Sequence, residues 1–376
     1  MPAWSRAAAA STEAITVALV GPMSGPGAAW GQEMREGAEV AVDYINGTEN
    51  GLSGRRLKLV VEDDAGDAKQ AVSIANRLMS STPPVDFVVG HANSATTLPA
   101  SQIYREGGAF LFSAVNAENL TASGWSQVFR LIPPNKTYEI HVADEIIESG
   151  RSNIAIIHNG TDYARGFSDG LKETLSRRGV TEQMYESIPI GEKDFSALIS
   201  KLKKFEIDLV VLALYPQEAG LLTRQSVDLG FAAKGSGPLF YGHSLLASLD
   251  FYRASGGAAE GARIVSASGC DIGLLREELA SDRIGGGFIK LLRERNMELA
   301  VTHTIIASAF QIIAQAIALT GGVDKRKLSD VLHQREFSTV RGLLSFGPSG
   351  ELSQPDRSLA LYEIRSSGPH QIKRYG

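Results

Sequence analysis

Cysteine is almost missing from this chain: Cys270 is the only one in 376 residues. A lone cysteine excludes an internal disulfide and a CxxC metal knuckle, and it reads as a small buried hydrophobe. Basic excess is missing as well. Lysine and arginine total 37 against 42 aspartates and glutamates, a net charge of -5, so no positive field exists to draw nucleic acid. The seven histidines show neither HxxxH nor HExxH spacing, which argues against zinc. There is no GxxxxGK[ST] and no GxSxG, so neither a Walker-type phosphate cradle nor a nucleophile elbow is expected. The turn GPGAAW (25–30) nearly spells a dinucleotide fingerprint, but Trp30 stands where the third glycine should allow close helix–strand packing. No cofactor and no metal are expected. Long apolar runs are scarce too. Only one segment could pass for a membrane span: 304–320 carries no charge, but it is shorter than the ~20 residues a bilayer needs and carries Gln311 and Gln315 on one helical face. It reads as a buried helix whose glutamines meet polar groups.

What is present is a regular alternation of short apolar runs and amphipathic stretches. Strands are predicted at 15–20, 57–61, 87–89, 110–112, 154–157, 209–214 and 239–241. Helices are predicted near 30–45, 68–79 (capped by Asp67), 96–104, 167–175, 195–204 (capped by Asp194) and 218–229, with more helix after Gly286 and short β segments at 343–346 and 359–364. This order implies two α/β units with parallel sheets, joined near 132–135 and 264–268. Asp63, Asp64 and Asp67 read as a strand end followed by a helix cap rather than as a cation site. Four N-x-T sequons (Asn46, Asn119, Asn135, Asn159) carry no inference. Residues 1–14, MPAWSRAAAASTEA, read equally as the tail of an export signal near its cleavage site or as a leader of no structural consequence.

Ligands of open α/β sheets sit beyond the carboxyl ends of the strands. The residues there are small, hydroxylic or aromatic. The stretch GHANSATTLPA (90–100) is the clearest case. A helix starting near Thr96 offers unpaired N–H groups and a positive dipole end, and Ser94 and Thr96 add hydroxyls, a combination suited to a carboxylate. The alternative is that Ser94, Thr96 and Thr97 do no more than cap the helix.

These pieces together resemble the leucine/isoleucine/valine-binding protein family, the type I periplasmic solute receptors of ABC importers. The resemblance rests on VALVGPMSGPGAAWG (17–31), VEDDAGDAKQAVSIANRL (61–78), GHANSATTLPASQIY (90–104), GEKDFSALISKLKKFEIDLVVLALYPQEAG (191–220) and AAEGARIV (258–265). It implies an α/β fold of two Rossmann-like lobes joined by three crossovers, with a ligand cleft between them. The lobes are expected at 15–133 plus 267–354 and at 134–266 plus 355–376. By the same resemblance, Ser94, Ala95 and Thr96 form the carboxylate-binding turn and Val115 and Asn116 the neighbouring loop. Trp30, Tyr163 and Tyr215 wall the side-chain pocket, and His243 and Ser244 close it.

Two departures from the family pattern stand out. Its amino-acid binders usually hold the ligand ammonium with a carboxylate after the strand that here ends at Gly242; this chain has His243 and Ser244 there, with no acid before Asp250. An ammonium buried without an anion costs several kcal/mol. The expected ligand is therefore a small carboxylate without an amine: branched aliphatic, 2-oxo or aromatic. Acids outside the matched positions, Asp162 or Glu218, are the means by which an amino acid would still be held. A branched-chain or neutral amino acid is the alternative ligand. The second departure is that Gly66 and Asn93 replace two cysteines that many relatives bridge. The expected protein is exported, monomeric, not an enzyme, and partnered by the membrane subunits of an importer. A ligand-sensing receptor domain is the rival from another class.

Overall fold

The computed structural model describes residues 14–47, 52, 54–122, 124–233, 237–267, 283–297 and 299–375. Cys270 and nearly all of the leader lie outside them. The chain opens with β1 (Ile15–Gly21), buried over nearly its whole length, as a parallel strand covered on both faces must be. There follow α1 (Ala28–Gly47), β2 (Leu57–Asp63), α2 (Ala68–Ser80), β3 (Phe87–Gly90), α3 (Ser94–Glu106), β4 (Phe110–Ser113), α4 (Asn119–Ala122) and β5 (Val128–Arg130). The five strands form one sheet in the order β2-β1-β3-β4-β5, all parallel. Strand periodicity sends Val17, Leu19, Phe87 and Phe110 to one face and Ala18, Val20, Val88 and Leu111 to the other.

The second unit runs α5 (Asn135–Glu148), β6 (Ile154–His158), α6 (Asp162–Arg177), β7 (Met184–Ser187), α7 (Ser196–Lys204), β8 (Leu209–Ala213), α8 (Pro216–Asp228), β9 (Leu239–Gly242), α9 (Leu249–Ala254) and β10 (Arg263–Ala267). The chain then supplies α10 (Arg283–Glu294), α11 (Val301–Thr320) and α12 (Lys325–Gln334), and a small antiparallel pair, β11 (Phe337–Thr339) and β12 (Gly342–Leu344). Phe288, Ile306, Phe310 and Ile313 of these helices pack on the first sheet with Val17 and Leu19. The tail returns to the second sheet as β13 (Leu359–Arg365) and β14 (Gly368–Arg374), giving the order β14-β13-β10-β9-β8-β6-β7. The chain therefore passes between the two sheets three times. This is the two-lobed α/β fold that the resemblance implies.

Several expectations need correction. β5, β7 and β14 are too short or too polar to stand out by periodicity. The stretch expected as the second join is largely strand: β10 pairs with β9 and β13, so Ala267 belongs to the second sheet and the join lies beyond it. The uncharged helix is longer than expected: α11 has 20 residues, none of them Asp, Glu, Lys or Arg, enough to span a bilayer, so length does not exclude that role. Burial argues against it, since 72% of its most apolar window is covered by protein. Gln311 accepts the Val340 amide and Gln315 the Ser338 amide, as the polar positions required.

The missing glycine of the near-fingerprint is found one position later. A Cβ on Gly31 would lie 2.1 Å from the Pro22 carbonyl oxygen, so Gly31 is what lets α1 press against the turn after β1. The substitution Gly31→Ala is expected to displace that turn and cost about 2–3 kcal/mol, read as a lower urea midpoint at unchanged m-value.

Candidate functional site

In the first sheet the strand order reverses between β1 and β3, and in the second between β6 and β8. Such switch points open crevices beyond the strand carboxyl ends. The turns after β1, β3, β6, β8 and β9 carry most of the candidate residues. α3 and α6, which start at two of these turns, contact one another, so the two crevices face each other.

α3 begins at Ser94, two residues earlier than the sequence predicts, because Asn93 is its N-cap: its side chain accepts the Thr96 amide at 3.0 Å. Thr96 donates its hydroxyl to the Asn93 carbonyl, and Thr97 does the same at 2.7 Å. Thr96 is fully buried. The expectation that Thr96 adds a free donor therefore fails: its amide and hydroxyl hydrogens are both committed to Asn93. Among the described residues, the donors left at this terminus are the amides of Ser94 and Ala95 and the Ser94 hydroxyl, with Ala95 exposed. The acidic triplet resolves into turn chemistry. Asp67 accepts the Lys69 and Gln70 amides, Asp63 the Ser24 and Ala65 amides, and Asp64 the Gly66 amide. No cluster able to hold a metal ion occurs among the described residues.

Trp30 lies half-buried in the first turn of α1, against the first core. Val115 and Asn116 are buried in the loop after β4. Asn116 is committed to the first join, donating its side-chain amide to the Pro133 carbonyl while its own carbonyl accepts the Asn135 amide. The loop is organised by a residue that sequence reasoning missed. Arg130, at the end of β5 and wholly buried, donates to the carbonyls of Val115 and Ala117 and to the Thr121 hydroxyl. Its Nε lies 2.9 Å from the Glu351 carboxylate. Burial pulls the guanidinium below its usual range, and Glu351 opposes that. A buried cation in a half-apolar sequence was a signal, but its anion lies more than two hundred residues away.

From the second sheet, Tyr163 sits in the first turn of α6, Tyr215 is the N-cap of α8, and His243 and Ser244 follow β9. Tyr215 is the most exposed of these. His243 is enclosed by the rings of Tyr138, Phe167 and Tyr163, with centroids 4.4, 4.5 and 4.8 Å away. Its Nδ1 meets the Tyr163 hydroxyl and, at 2.9 Å, the Ser244 hydroxyl. Burial pushes the imidazole down to about 3, so the ring is neutral at any physiological pH. Nε2 of the ring is buried and unpartnered. Burial raises the Tyr163 phenol well above its usual range, so it stays a donor.

The two acids held in reserve for an ammonium both have partners within the second unit. Glu218 accepts the amides of Gly191 (2.7 Å) and Tyr215 (3.2 Å) and the Asn159 side chain. Asp162 is exposed and paired with Arg165 at 3.0 Å. A different acid was missed. Glu33, one turn after Trp30, has its carboxyl pushed up by burial and by the charges of Asp250 and Glu36, and Thr302 hydrogen-bonds it. Helical spacing from Trp30 was the signal that pointed to it.

Comparison with known proteins places the chain in a family. A sequence profile described as periplasmic binding protein matches residues 14–369. The leucine-, isoleucine-, valine-, threonine- and alanine-binding protein of Pseudomonas aeruginosa is 32% identical over 349 residues, 92% of this chain and 89% of that one. This chain belongs to the leucine/isoleucine/valine-binding family of periplasmic binding proteins. A homolog from Brucella abortus, Leu/Ile/Val-binding protein homolog 1, is 31% identical over 95% of this chain and 92% of its own length. The fold of this family is shared with a leucine-binding protein from Thermotoga maritima (TM-score 0.82, 20% identity, 96% of this chain and 99% of that chain). It is shared equally with an R. palustris solute-binding protein crystallised with benzoate (TM-score 0.81, 18% identity, 96% of each chain).

Two outcomes test the electrostatics of this family member. Glu351→Ala leaves the Arg130 guanidinium buried beside no anion and should cost about 3 kcal/mol in urea unfolding. On α5, Glu139 is buried against Gly170 of α6, whose absent side chain makes room for it, and burial pushes its carboxyl up to about 7 despite Lys136 at 3.4 Å. The folded state then holds a proton that the unfolded chain has released. Stability from this group is full below the ordinary value of 4.5 and is lost as pH rises towards 7. Glu139→Gln should flatten the fall in Tm between pH 5 and 7.5 and exceed the wild type at pH 8.

Proposed function

We propose that this chain is the extracytoplasmic solute receptor of an ABC importer, and that its ligand is a small carboxylate without an ammonium group: branched aliphatic, 2-oxo or aromatic. The reading is carried by one observation, the neutral His243–Ser244 pair in the turn after β9, with Glu218 and Asp162 both otherwise engaged. A carboxylate docks on the Ser94 and Ala95 amides and the Ser94 hydroxyl, where the dipole of α3 favours negative charge. Each hydrogen bond to a charged group contributes roughly 1.5–3 kcal/mol. Thr96 holds the turn's shape, and Val115 and Asn116 form the adjoining wall. Trp30 on one lobe and Tyr163 and Tyr215 on the other supply apolar area, and Tyr163 and Ser244 supply hydroxyls. Closure is driven by the ligand only as far as it binds the closed form better than the open one. The R. palustris proteins that hold benzoate and 4-hydroxybenzoate in the same fold support an aromatic or related acid as a ligand that two such lobes can enclose.

A second reading is a branched-chain or other neutral amino acid. It is favoured by the P. aeruginosa and B. abortus relatives, whose names give such ligands, and by Glu33 as a carboxyl near Trp30. On either reading the lobes divide near 133–134, after Ala267 and near 354–355, the partners are the membrane subunits of the importer, and the receptor acts as a monomer outside the cytoplasm.

Calorimetry with benzoate, 4-methyl-2-oxopentanoate and leucine separates the two. The first reading expects an acid without an amine to bind at least tenfold tighter than leucine, and Glu33→Gln to leave it within about twofold. Tighter leucine binding that Glu33→Gln abolishes would establish the second.

A further inference from the structure

The first unit also holds a fully buried polar network. Asp64, His91 and Tyr104 are all at zero exposure. His91 Nδ1 lies 2.6 Å from the Asp64 carboxylate, and His91 Nε2 lies 3.1 Å from the Tyr104 hydroxyl. The three come from separate places: the turn after β2, the turn after β3, and the third turn of α3. In the sheet, β2 and β3 flank β1, so the Asp64–His91 pair reaches across the carboxyl end of the central strand. Asp64 is itself fixed from two directions, its amide bonded to the Gly21 carbonyl at 3.0 Å and its carboxylate to the Gly66 amide at 2.9 Å. Gly90, just before His91, admits no side chain, since a Cβ would sit 2.0 Å from the Val20 carbonyl oxygen. Three residues after His91 comes Ser94, and Tyr104 is on the helix whose first amides remain unpaired.

A buried carboxylate and imidazole are costly to desolvate, and apolar residues of like volume would often serve stability as well. What apolar residues do not supply is direction. We infer that His91 is a positioning residue for the ligand: clamped between Asp64 and Tyr104, it fixes the turn after β3 so that the Ser94 and Ala95 amides converge on one point. The inference rests on the reading that those amides receive the ligand carboxylate.

Hydrogen exchange on the full-length, ligand-free protein tests it. In His91→Phe, the Thr96 and Thr97 amides, both bonded to Asn93, should exchange about tenfold faster, while those of β4 and of α2 beyond its first turn keep their rates. His91→Asn, whose side-chain amide can still donate to Asp64, should recover most of the protection, and Tyr104→Phe, which removes only the weaker contact, should lose little. Affinity for whichever of benzoate, 4-methyl-2-oxopentanoate or leucine binds the wild type should fall about tenfold in His91→Phe and recover in His91→Asn. Unchanged exchange at Thr96 and Thr97, or a uniform rise across the first sheet, overturns the positioning role. A selective rise in exchange with affinity untouched overturns instead the placement of the carboxylate at Ser94. If His91→Phe does not fold, the order of His91→Asn and Tyr104→Phe decides: greater loss of protection in Tyr104→Phe refutes the role.

Discussion

Parallel strands send all their carboxyl ends to one side, and that constraint governs everything this molecule offers a ligand. The groups at the gap come from turns and helix starts rather than from the sheet faces, which are filled with valine, isoleucine, leucine and phenylalanine on both sides. Backbone N–H groups at the start of α3 are one such feature of the first crevice. The second crevice, built by the same rule, contributes side chains instead: two tyrosines, a histidine and a serine. Because both sheets obey one rule, two similar halves yield unlike turns, one ending in the helix-start amides of α3 and the other in aromatic and hydroxyl side chains.

The distribution of acids follows from what the turns themselves require. Asp63, Asp64, Asp67 and Glu218 each accept backbone amides that would otherwise be left unsatisfied at strand ends and helix starts. A carboxylate engaged in that way has fewer lone pairs left for a ligand. Glu351 is likewise bound to Arg130, and through it the closing segment of the chain holds the loop of Val115 and Asn116. Acidic residues are plentiful in this protein; Glu218 and Glu351 are bound by the scaffold, whereas Glu33, one turn from Trp30, is met by Thr302. The choice of ligand thus depends less on which residues surround the gap than on which of them the scaffold has already used.

Much of this was legible in the residues. The strong apolar runs gave β1, β3, β4, β6 and β8, and Asp67 before an amphipathic stretch gave α2 with its cap. β5, β7 and β14 were not legible. They carry three, four and seven residues with little apolar pattern, and they exist because a neighbouring strand offers them hydrogen bonds. Thr96 was read as a donor because hydroxyl residues at a helix start suit an anion. That Asn93 would consume both of its hydrogens depends on a side-chain rotamer, which composition does not fix. Arg130 and Glu33 were passed over for a related reason: neither lies directly after a strand of the kind that periodicity reveals.

By itself the sequence determined the alternation of elements, hence the parallel sheets, the crevices beyond their carboxyl ends and the family to which the chain belongs. These are local or periodic properties, set by side-chain volume and polarity along a short stretch. Only the tertiary structure decided which polar groups are still available at the gap. A hydrogen bond is satisfied by proximity in space, and the partners here lie as far apart in the chain as Arg130 and Glu351, Asp64 and His91, or Tyr163 and His243.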